Sequence, residues 1–300
     1  LGDVYKRQSY FWQPIMNLGN IFNNFINNIA YLERIFETID EPVTVKDAEH
    51  AIEMPKIRGK VTFDHVTFAY DETKTILKDV SFTVNPGESV ALVGPTGAGK
   101  STIVNLISRF YNVNDGKVLI DDQDIANVTI HSLRAQMGIM MQDSFIFSGT
   151  IADNIRYGKL DATQEEIEKA GKIVCADPFI REMPKGYETQ VRERGSMLSQ
   201  GQKQLISFAR TLLCDPAILI LDEATSSIDV QTEKALQTGL NRMLKGRTSF
   251  IIAHRLSTIR GCDKIMYIDD GGIAEAGTHE ELMKKKGRYY KLYTAQKSLH

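Results

Sequence analysis

The sequence predicts an α/β fold built around a mostly parallel sheet, and three observations lead to this prediction. Short apolar runs of strand length recur between residues 61 and 268. Longer segments with helical periodicity lie between many of these runs. One apolar run continues directly into a glycine-rich segment that opens a helix. Because buried apolar strands that alternate with helices are typical of parallel sheets, we expect a compact α/β domain that extends to about residue 285.

The individual elements follow from the same patterns. The predicted strands cover residues 61–70, 80–84, 90–93, 117–120, 138–141, 217–221, 248–253 and 264–268. One predicted helix begins at Lys100, and others cover residues 164–175, 201–213 and 230–244. The early strands alternate apolar and polar residues as antiparallel strands do, so we expect them to form an added sheet.

Composition and charge narrow the class of protein. Of the 300 residues, 42% are hydrophobic and 25% are charged, which is ordinary for a globular protein. The net charge of −2 gives no electrostatic reason to expect a nucleic-acid partner. Cys175, Cys214 and Cys262 are widely spaced and odd in number, which favours a reducing compartment over a disulfide framework.

The beginning of the chain has an unusual sequence. Residues 3–8, D-V-Y-K-R-Q, match the translation of a transposon end that is used to prepare sequencing libraries, and the chain has no initiator methionine. We therefore expect residues 1–8 to be an assembly scar and the natural chain to continue upstream.

Residues 9–40 are predicted to form one long helix. Its apolar positions alternate four and three residues apart in a heptad pattern, at Phe11, Ile15, Leu18, Phe22, Phe25, Ile29, Leu32 and Phe36. Uncharged asparagines lie between them, and charged residues follow only after Tyr31. The pattern fits a helix that leaves a membrane into the cytosol and an amphipathic packing helix equally well. Residues 41–58 are predicted to be a polar linker that begins at Glu41-Pro42.

The glycine-rich segment has the pattern of a phosphate-binding loop. Residues 94–101, G-P-T-G-A-G-K-S, fit G-x-x-x-x-G-K-[ST] between a predicted strand and a predicted helix. The glycines allow backbone N–H groups to surround phosphates, and the helix N-terminus adds positive potential. We expect Lys100 to reach the β- and γ-phosphates and the Ser101 hydroxyl to bind Mg²⁺.

A second candidate site element is a pair of acids at the end of an apolar strand. Asp222 and Glu223 follow residues 218–221, and ligands gather at the carboxyl ends of strands in α/β sheets. Asp222 is therefore predicted to hold Mg²⁺, through water. Glu223 is predicted to orient or deprotonate an attacking water.

A third element repeats the chemistry of phosphate binding. Residues 198–202, L-S-Q-G-Q, precede a predicted helix and offer a separate set of γ-phosphate donors. A single chain has no evident use for a spare set, so we expect the chain to work as one half of a pair.

Taken together, these motifs resemble the nucleotide-binding domain of an ATP-binding cassette (ABC) transporter over residues 59–297. The resemblance implies the ABC variant of the P-loop NTPase fold: a parallel-sheet core, an added antiparallel β-subdomain and a helical subdomain at about residues 143–213. It implies ATP and Mg²⁺ as cofactors. It also implies two such domains stacked head to tail, with each ATP held by the phosphate loop of one and the L-S-Q-G-Q signature of the other.

The resemblance assigns roles to single residues. Tyr70 is expected to stack on adenine, Gln142 to sense the Mg²⁺ site and His254 to touch the γ-phosphate. Catalysis is assigned to Glu223, His254, Gln142 and Lys100, and Mg²⁺ binding to Ser101, Gln142 and Asp222. Nucleotide contacts are assigned to Tyr70, Gly94, Pro95, Thr96, Gly97, Ala98, Gly99, Lys100, Ser101, Thr102, Ser199, Gly201, Gln202 and Asp229.

Further segments resemble the exporter class of this family. They are T-Q-V-R-E-R-G at residues 189–195, F-S-G-T-I-A-D-N-I at residues 147–155 and I-A-H-R-L-S-T at residues 252–258. In such exporters the last transmembrane helix runs directly into the ATPase domain, and this favours the membrane-exit reading of residues 9–40. By resemblance, the rest of the transmembrane domain lies upstream, and the ATPase domain lies on the cytoplasmic side of a cell (inner) membrane.

Two departures from the commonest family pattern bear on the partner. Gln200 stands where most signatures have glycine, and Arg192 replaces the usual glycine before Glu193. An L-S-Q-G-Q signature, together with R-Y-Y at residues 288–290, resembles the catalytically complete half of heterodimeric bacterial multidrug exporters. The resemblance therefore favours a second, different ABC half-transporter as partner over an identical copy.

The resemblance implies that ATP-driven closure of the paired domains is coupled to export of a hydrophobic or amphipathic compound, a drug or a lipid, across the membrane. Two other functions compete with this one. A soluble ABC ATPase that acts on nucleic acid or ribosomes predicts tandem cassettes, coiled-coil arms or a basic surface, which this sequence does not show. An importer cassette on a separate chain predicts a beginning near the first strand, without the helix at residues 9–40.

Overall fold

The protein is described here by a computed structural model, which covers residues 2–71, 73–140, 145–222, 230–253 and 256–297. The chain divides into two compact units, Leu1–Thr44 and Val45–His300. The helices are α1 (Gly2–Ile39), α2 (Lys100–Ile107), α3 (Ile130–Arg134), α4 (Ile151–Arg156), α5 (Gln164–Ile173), α6 (Asp177–Glu182), α7 (Gln200–Leu213), α8 (Val230–Leu244), α9 (Leu256–Arg260), α10 (His279–Lys285) and α11 (Arg288–Lys297). The strands are β1 (Val61–Ala69), β2 (Thr75–Val84), β3 (Ser89–Val93), β4 (Asp115–Ile120), β5 (Gln123–Asp124), β6 (Met137–Met140), β7 (Gly149–Thr150), β8 (Gln190–Val191), β9 (Ile218–Asp222), β10 (Thr248–Ile252), β11 (Lys264–Asp269) and β12 (Gly272–Gly277).

The first unit consists largely of α1, which is one continuous helix. It begins at Gly2, earlier than the predicted start at residue 9, and it includes Pro14. None of its residues is buried within the unit, and the heptad row of large apolar side chains is exposed along its length. Across the described ranges, we find no helix with the length and apolar character needed to cross a membrane.

The core of the second unit is a six-stranded sheet in the order β12-β11-β3-β10-β9-β6. The five strands from β11 to β6 are parallel, and β12 pairs with β11 in the antiparallel sense. All residues of β3 and β10 are buried, as expected for strands that are covered on both faces. The parallel-sheet α/β core predicted from the sequence is therefore confirmed.

Two smaller sheets complete the unit. A four-stranded antiparallel sheet has the order β2-β1-β4-β5, which confirms the predicted added sheet. A two-stranded sheet joins β7 to β8 within the helical region between β6 and β9. Helices α4 to α7 lie in this region, where a helical subdomain was predicted.

Alternate residues of the central strands pack into two different hydrophobic cores. On β3, Val90 and Leu92 belong to the core that contains α2 and the antiparallel sheet. Ala91 and Val93 belong to the other core, together with α7 and α8. The period of two along a strand places successive side chains on opposite faces of the sheet. The sheet thereby fixes α2 and α7 on opposite sides of one scaffold.

The segment between α1 and β1 is held against the second unit from residue 45 onwards. The Met54 N–H donates to Ser132 Oγ at 2.8 Å, and the Ile57 N–H donates to Gln136 Oε1 at 2.9 Å. Arg109, which is buried, donates from Nη2 to the Lys46 carbonyl at 3.0 Å. Residues 45–58 of the predicted linker are thus anchored to the rest of the second unit by side chains and backbone.

Candidate nucleotide site

The glycine-rich segment forms a tight loop between β3 and α2. Gly94 has a φ of 140°, and a Cβ atom there would collide with the carbonyl oxygen of Ile268 on β11. Gly99 has a φ of 105° and is the N-cap residue of α2, without a side-chain cap. Both conformations lie in the region that favours glycine. The loop therefore follows the strand–loop–helix context that the sequence predicted.

Lys100 is the first residue of α2, and its ammonium group folds back over the loop. Its Nζ donates to the carbonyl oxygens of Gly94, at 2.9 Å, and Pro95, at 2.8 Å. Burial lowers the pKa of Lys100, and the nearby negative charge of Asp222 opposes this shift. The predicted lysine of the phosphate loop and the predicted acid of the strand end thus lie close enough to interact electrostatically, and they belong to one site.

The remaining residues of the loop divide between the surface and the interior. Pro95, Thr96 and Gly97 are exposed at the tip, whereas Ala98 and Gly99 are buried beneath it. On α2, the Ser101 side chain is exposed and that of Thr102 is buried. The exposed tip and Ser101 can contact a ligand directly.

Tyr70 lies beside this helix, directly after β1. Its hydroxyl is 3.1 Å from Thr102 Oγ1, and 47% of the residue surface remains exposed. The structure therefore brings the predicted adenine platform to the helix that carries the predicted phosphate contacts.

The oxygen donors of this site fit the requirements of Mg²⁺. Ser101 is exposed on the first turn of α2, and Asp222 is half-buried at the end of β9. Mg²⁺ is typically bound by one or two protein oxygens, with substrate phosphates and water completing its shell. Within the described ranges, no cluster of three or more His, Cys, Asp or Glu side chains could hold a metal ion.

The L-S-Q-G-Q segment forms the N-terminus of α7, which we call the signature helix. Ser199 is the N-cap residue, and its Oγ accepts from the Gln202 N–H at 3.2 Å. Gln202 Oε1 accepts in return from the Ser199 N–H at 3.0 Å. Ser199 and Gln200 are exposed, Gln202 is half-buried and Gly201 is buried. The two side chains thus close a capping box. This box is not among the features predicted from the sequence, although its S-x-x-Q pattern indicates one.

Four of the predicted site residues, Gln142, Glu223, Asp229 and His254, lie outside the described residues. Their assigned roles stay predictions.

The two exporter-like segments near the signature helix are joined in space. Strand β7, in the segment at residues 147–155, pairs with β8, in the segment at residues 189–195. The Ile151 N–H also donates to the Thr189 carbonyl at 3.1 Å, and the Arg194 N–H donates to the Ile146 carbonyl at 3.1 Å.

Arg210 connects the same region to the signature helix and is not among the site residues predicted from the sequence. Its Nε donates to the Asn154 carbonyl at 2.8 Å, and its Nη1 donates to the Phe145 carbonyl at 3.0 Å. Burial lowers the pKa of Arg210. Asn154 is buried and also bonds to both backbone polar groups of Phe147. An arginine within an otherwise apolar helix face is the signal that could have revealed this contact.

Comparison with known families decides the class of protein. The family model described as "ABC transporter" matches residues 77–226, which include the phosphate loop, the signature helix and β9. The chain belongs to the ABC transporter family. The resemblance that the motifs suggested is therefore confirmed, and with it the P-loop ATPase fold.

Individual relatives extend the comparison beyond the family model. The chain is 52% identical over 288 residues to the uncharacterized ABC transporter ATP-binding protein YknV of Bacillus subtilis, covering 96% of this chain and 48% of that protein. It is 50% identical over 286 residues to the putative multidrug export ATP-binding/permease protein YgaD of the same organism, covering 95% and 49%. The chain thus spans about half the length of these relatives.

A solved structure matches the fold of this ABC ATPase closely. It is a bacterial Atm1-family ABC exporter with ATP bound, with a TM-score of 0.81 and 42% sequence identity. The match covers 95% of this chain and 50% of that chain.

Proposed function

We propose that this chain is the ATP-hydrolysing part of an ABC exporter that moves a hydrophobic or amphipathic compound, a drug or a lipid, across a cell membrane. ATP binding closes a pair of ATPase domains, and hydrolysis reopens them. The observation that carries the proposal is the phosphate loop between β3 and α2. Lys100, which follows this loop, interacts with Asp222 at the carboxyl end of the parallel strand β9.

The proposed reaction is the transfer of the ATP γ-phosphoryl group to water. The water oxygen attacks the γ-phosphorus, the bond to the β-phosphate oxygen breaks, and ADP and phosphate leave. Lys100 stabilises the charge on the phosphate oxygens, and Glu223 orients the water and accepts its proton. Gln142 and His254 contact the Mg²⁺ site and the γ-phosphate. Ser101, Gln142 and Asp222 would hold Mg²⁺, which would neutralise phosphate charge when bound.

The exporter part of the proposal rests on the relatives and on α1. YgaD is named as a putative multidrug export protein, and it matches this chain at 50% identity, including the segment of α1. The heptad row of exposed apolar side chains on α1 supports a helix that packs within a larger membrane domain. In this proposal residues 9–40 are the cytoplasmic end of the last transmembrane helix, and the ATPase unit lies in the cytosol.

The proposed partner is a second ABC half-transporter, which completes the nucleotide site with its own signature helix. Ser199, Gly201, Gln202 and Asp229 then act on the partner's ATP. We favour a different chain over an identical copy because of Gln200 and of R-Y-Y at residues 288–290.

The catalytic assignment is tested with Glu223→Gln. We expect this variant to bind MgATP with unchanged affinity and to lose nearly all ATP turnover, because the carboxylate that accepts the proton is replaced by an amide. Turnover is measured by phosphate release and binding by equilibrium dialysis. Retained turnover would remove Glu223 from its role.

The same variant tests the nature of the partner, because it arrests the ATP-bound state. Light scattering of Glu223→Gln with MgATP should detect monomers of this chain, and dimers only after a different ABC half-transporter is added. A dimer of this chain by itself would show that identical copies suffice. Ser199→Arg should then impair the partner's site in mixed pairs, and damage confined to this chain's own site would contradict a shared site.

A further inference from the structure

The aromatic residue at the nucleotide site is bonded to the P-loop helix through its hydroxyl group. Tyr70 OH lies 3.1 Å from Thr102 Oγ1, on the first turn of α2. Asn105, one turn further along the same helix, donates from Nδ2 to Tyr70 OH at 3.4 Å. Both polar partners of the tyrosine hydroxyl therefore belong to α2, although Tyr70 itself follows a strand of the antiparallel sheet.

The ring of Tyr70 is also fixed by two other aromatic rings. Phe68 meets it edge-on, with centroids 4.9 Å apart and an interplanar angle of 86°. Tyr111, which follows α2 in the chain, meets it at 4.9 Å and 85°. Edge-to-face contacts of this kind stabilise aromatic pairs beyond the effect of area burial alone. The ring of Tyr70 is thus held by two aromatic contacts and its hydroxyl by two polar contacts, while nearly half of the residue surface stays exposed.

Asn105 donates to the Tyr70 oxygen, and in the contact between Tyr70 and Thr102 either hydroxyl can be the donor. A tyrosine oxygen that accepts one hydrogen bond can still donate its own proton to a second partner. Asn105, Tyr70 and Thr102 are thus joined in one series of hydrogen bonds. Hydrogen bonds arranged in such a series polarise one another.

We propose that Asn105 is a positioning residue for nucleotide binding, which acts through a hydrogen-bond chain with Tyr70 and Thr102 to fix the base-stacking ring to the P-loop helix. The inference rests on the proposed function, because it assumes that Tyr70 stacks on the nucleobase. As a consequence, the base-stacking ring of Tyr70 and the phosphate loop keep a fixed position relative to each other. A ring that is already ordered loses less side-chain freedom when ATP binds.

The test compares ligands with and without a base, using the 300-residue chain. Affinities for MgATP and for inorganic tripolyphosphate with Mg²⁺ are measured for Tyr70→Phe, Asn105→Ala and the double variant. The phenylalanine keeps the stacking ring and removes the hydroxyl. Alanine removes the amide donor and has a higher helix propensity than asparagine, so α2 stays formed. Asn241→Ala, on the exposed face of α8, is the matched control for an asparagine removed from a helix.

We expect each single variant to weaken MgATP binding about 3- to 10-fold, the effect of one or two modest hydrogen bonds. Tripolyphosphate binding should stay unchanged, and the double variant should resemble Tyr70→Phe because Asn105 acts through the tyrosine hydroxyl. Unchanged MgATP binding, equal losses for both ligands, or additive losses in the double variant would each overturn the proposal. If the unmodified chain binds MgATP no more tightly than tripolyphosphate, the base adds no affinity and Tyr70 does not stack on it. If it binds neither ligand, the proposed function itself fails.

Discussion

The P-loop helix α2 and the signature helix α7 differ in how their first backbone N–H groups are satisfied. The first N–H groups of any helix have no partner within the helix. On α2 the N-cap is Gly99, which has no side chain that could accept from them. On α7 the Ser199 and Gln202 side chains close a capping box. The N-terminus of α2 thus has no side-chain acceptor at its N-cap, whereas the box on α7 satisfies the N–H groups of Ser199 and Gln202 before any ligand binds.

The capping box of α7 also differs in its charge from the other capping boxes in the described part of the chain. Helices α4, α5 and α10 close their boxes with the carboxylates of Asp153, Glu166 and Glu281. Helix α7 uses the neutral amide of Gln202. A carboxylate stabilises a helix N-terminus but repels a phosphate that approaches it. A neutral box keeps the cap and leaves the positive end of the helix open to an anion, as the proposed function requires.

The largest expected effect is at α2, where the ligand must complete the site. Lys100→Met removes the cation that spans the loop and approaches Asp222. We expect ATP turnover to fall at least ~100-fold, as when a single donor to a reacting group is removed. Phosphate release measures it. Lys169→Met, an exposed position on α5, is the control. Turnover within a few-fold of the original protein would contradict the role given to Lys100.

The next effect tests the neutral box of α7. Gln202→Glu keeps an oxygen that accepts from the Ser199 N–H, so the thermal midpoint should hardly change. The added charge should lower ATP turnover by about ten-fold, through ~1.4 kcal/mol of repulsion of the phosphate. Glu166→Gln makes the reverse exchange in the box of α5 and should leave turnover unchanged. Equal turnover in both variants would show that the charge of the α7 box is irrelevant to nucleotide binding.

Local sequence patterns predicted some elements of the fold and of the candidate site and missed others. The phosphate loop was predictable because its glycines, lysine and serine act through local backbone geometry. Strand β12 was missed because residues 272–277, G-I-A-E-A-G, contain few strand-forming residues, and pairing with β11 forms the strand. Strands β7 and β8 are two residues each, too short to carry a pattern.

Long-range polar contacts could not be predicted from the sequence for a different reason. Arg210 and Asn154 are 56 positions apart, and only the folded helical region brings them together. Asn105 and Tyr70 are 35 positions apart, and neither belongs to a pattern that names the other. Local motifs therefore provide the candidate binding residues, and the tertiary structure is needed to find which side chains hold them in place.

A smaller effect separates the stability of the α7 cap from its proposed function. Ser199→Ala and Thr163→Ala each remove the N-cap hydroxyl of one capping box. Each should lower the free energy of unfolding by about 1 kcal/mol, because a helix N–H loses its acceptor. Urea denaturation measures this loss. Only Ser199→Ala should also reduce ATP turnover in the paired protein. A similar loss of turnover in Thr163→Ala would mean that turnover follows stability and not the signature helix.

The smallest effect concerns pH and the acidic boxes. The backbone N–H of Thr278 lowers the pKa of Glu281 below its ordinary 4.5, and Thr150 lowers that of Asp153 below 3.8 in the same way. Because the folded-state pKa is the lower one, these carboxylates stabilise the fold at pH values above the ordinary pKa. The contribution is lost as the pH falls through the acidic range below it. Glu281→Gln should therefore lower the free energy of unfolding slightly at pH 6 and by a smaller amount near pH 3. Urea denaturation at both pH values measures the difference, with Asn241→Ala at an exposed position of α8 as the control, since its hydrogen-bond partner Gln237 is uncharged. A loss of equal size at both pH values would mean that Glu281 stabilises α10 by its shape and not by its charge.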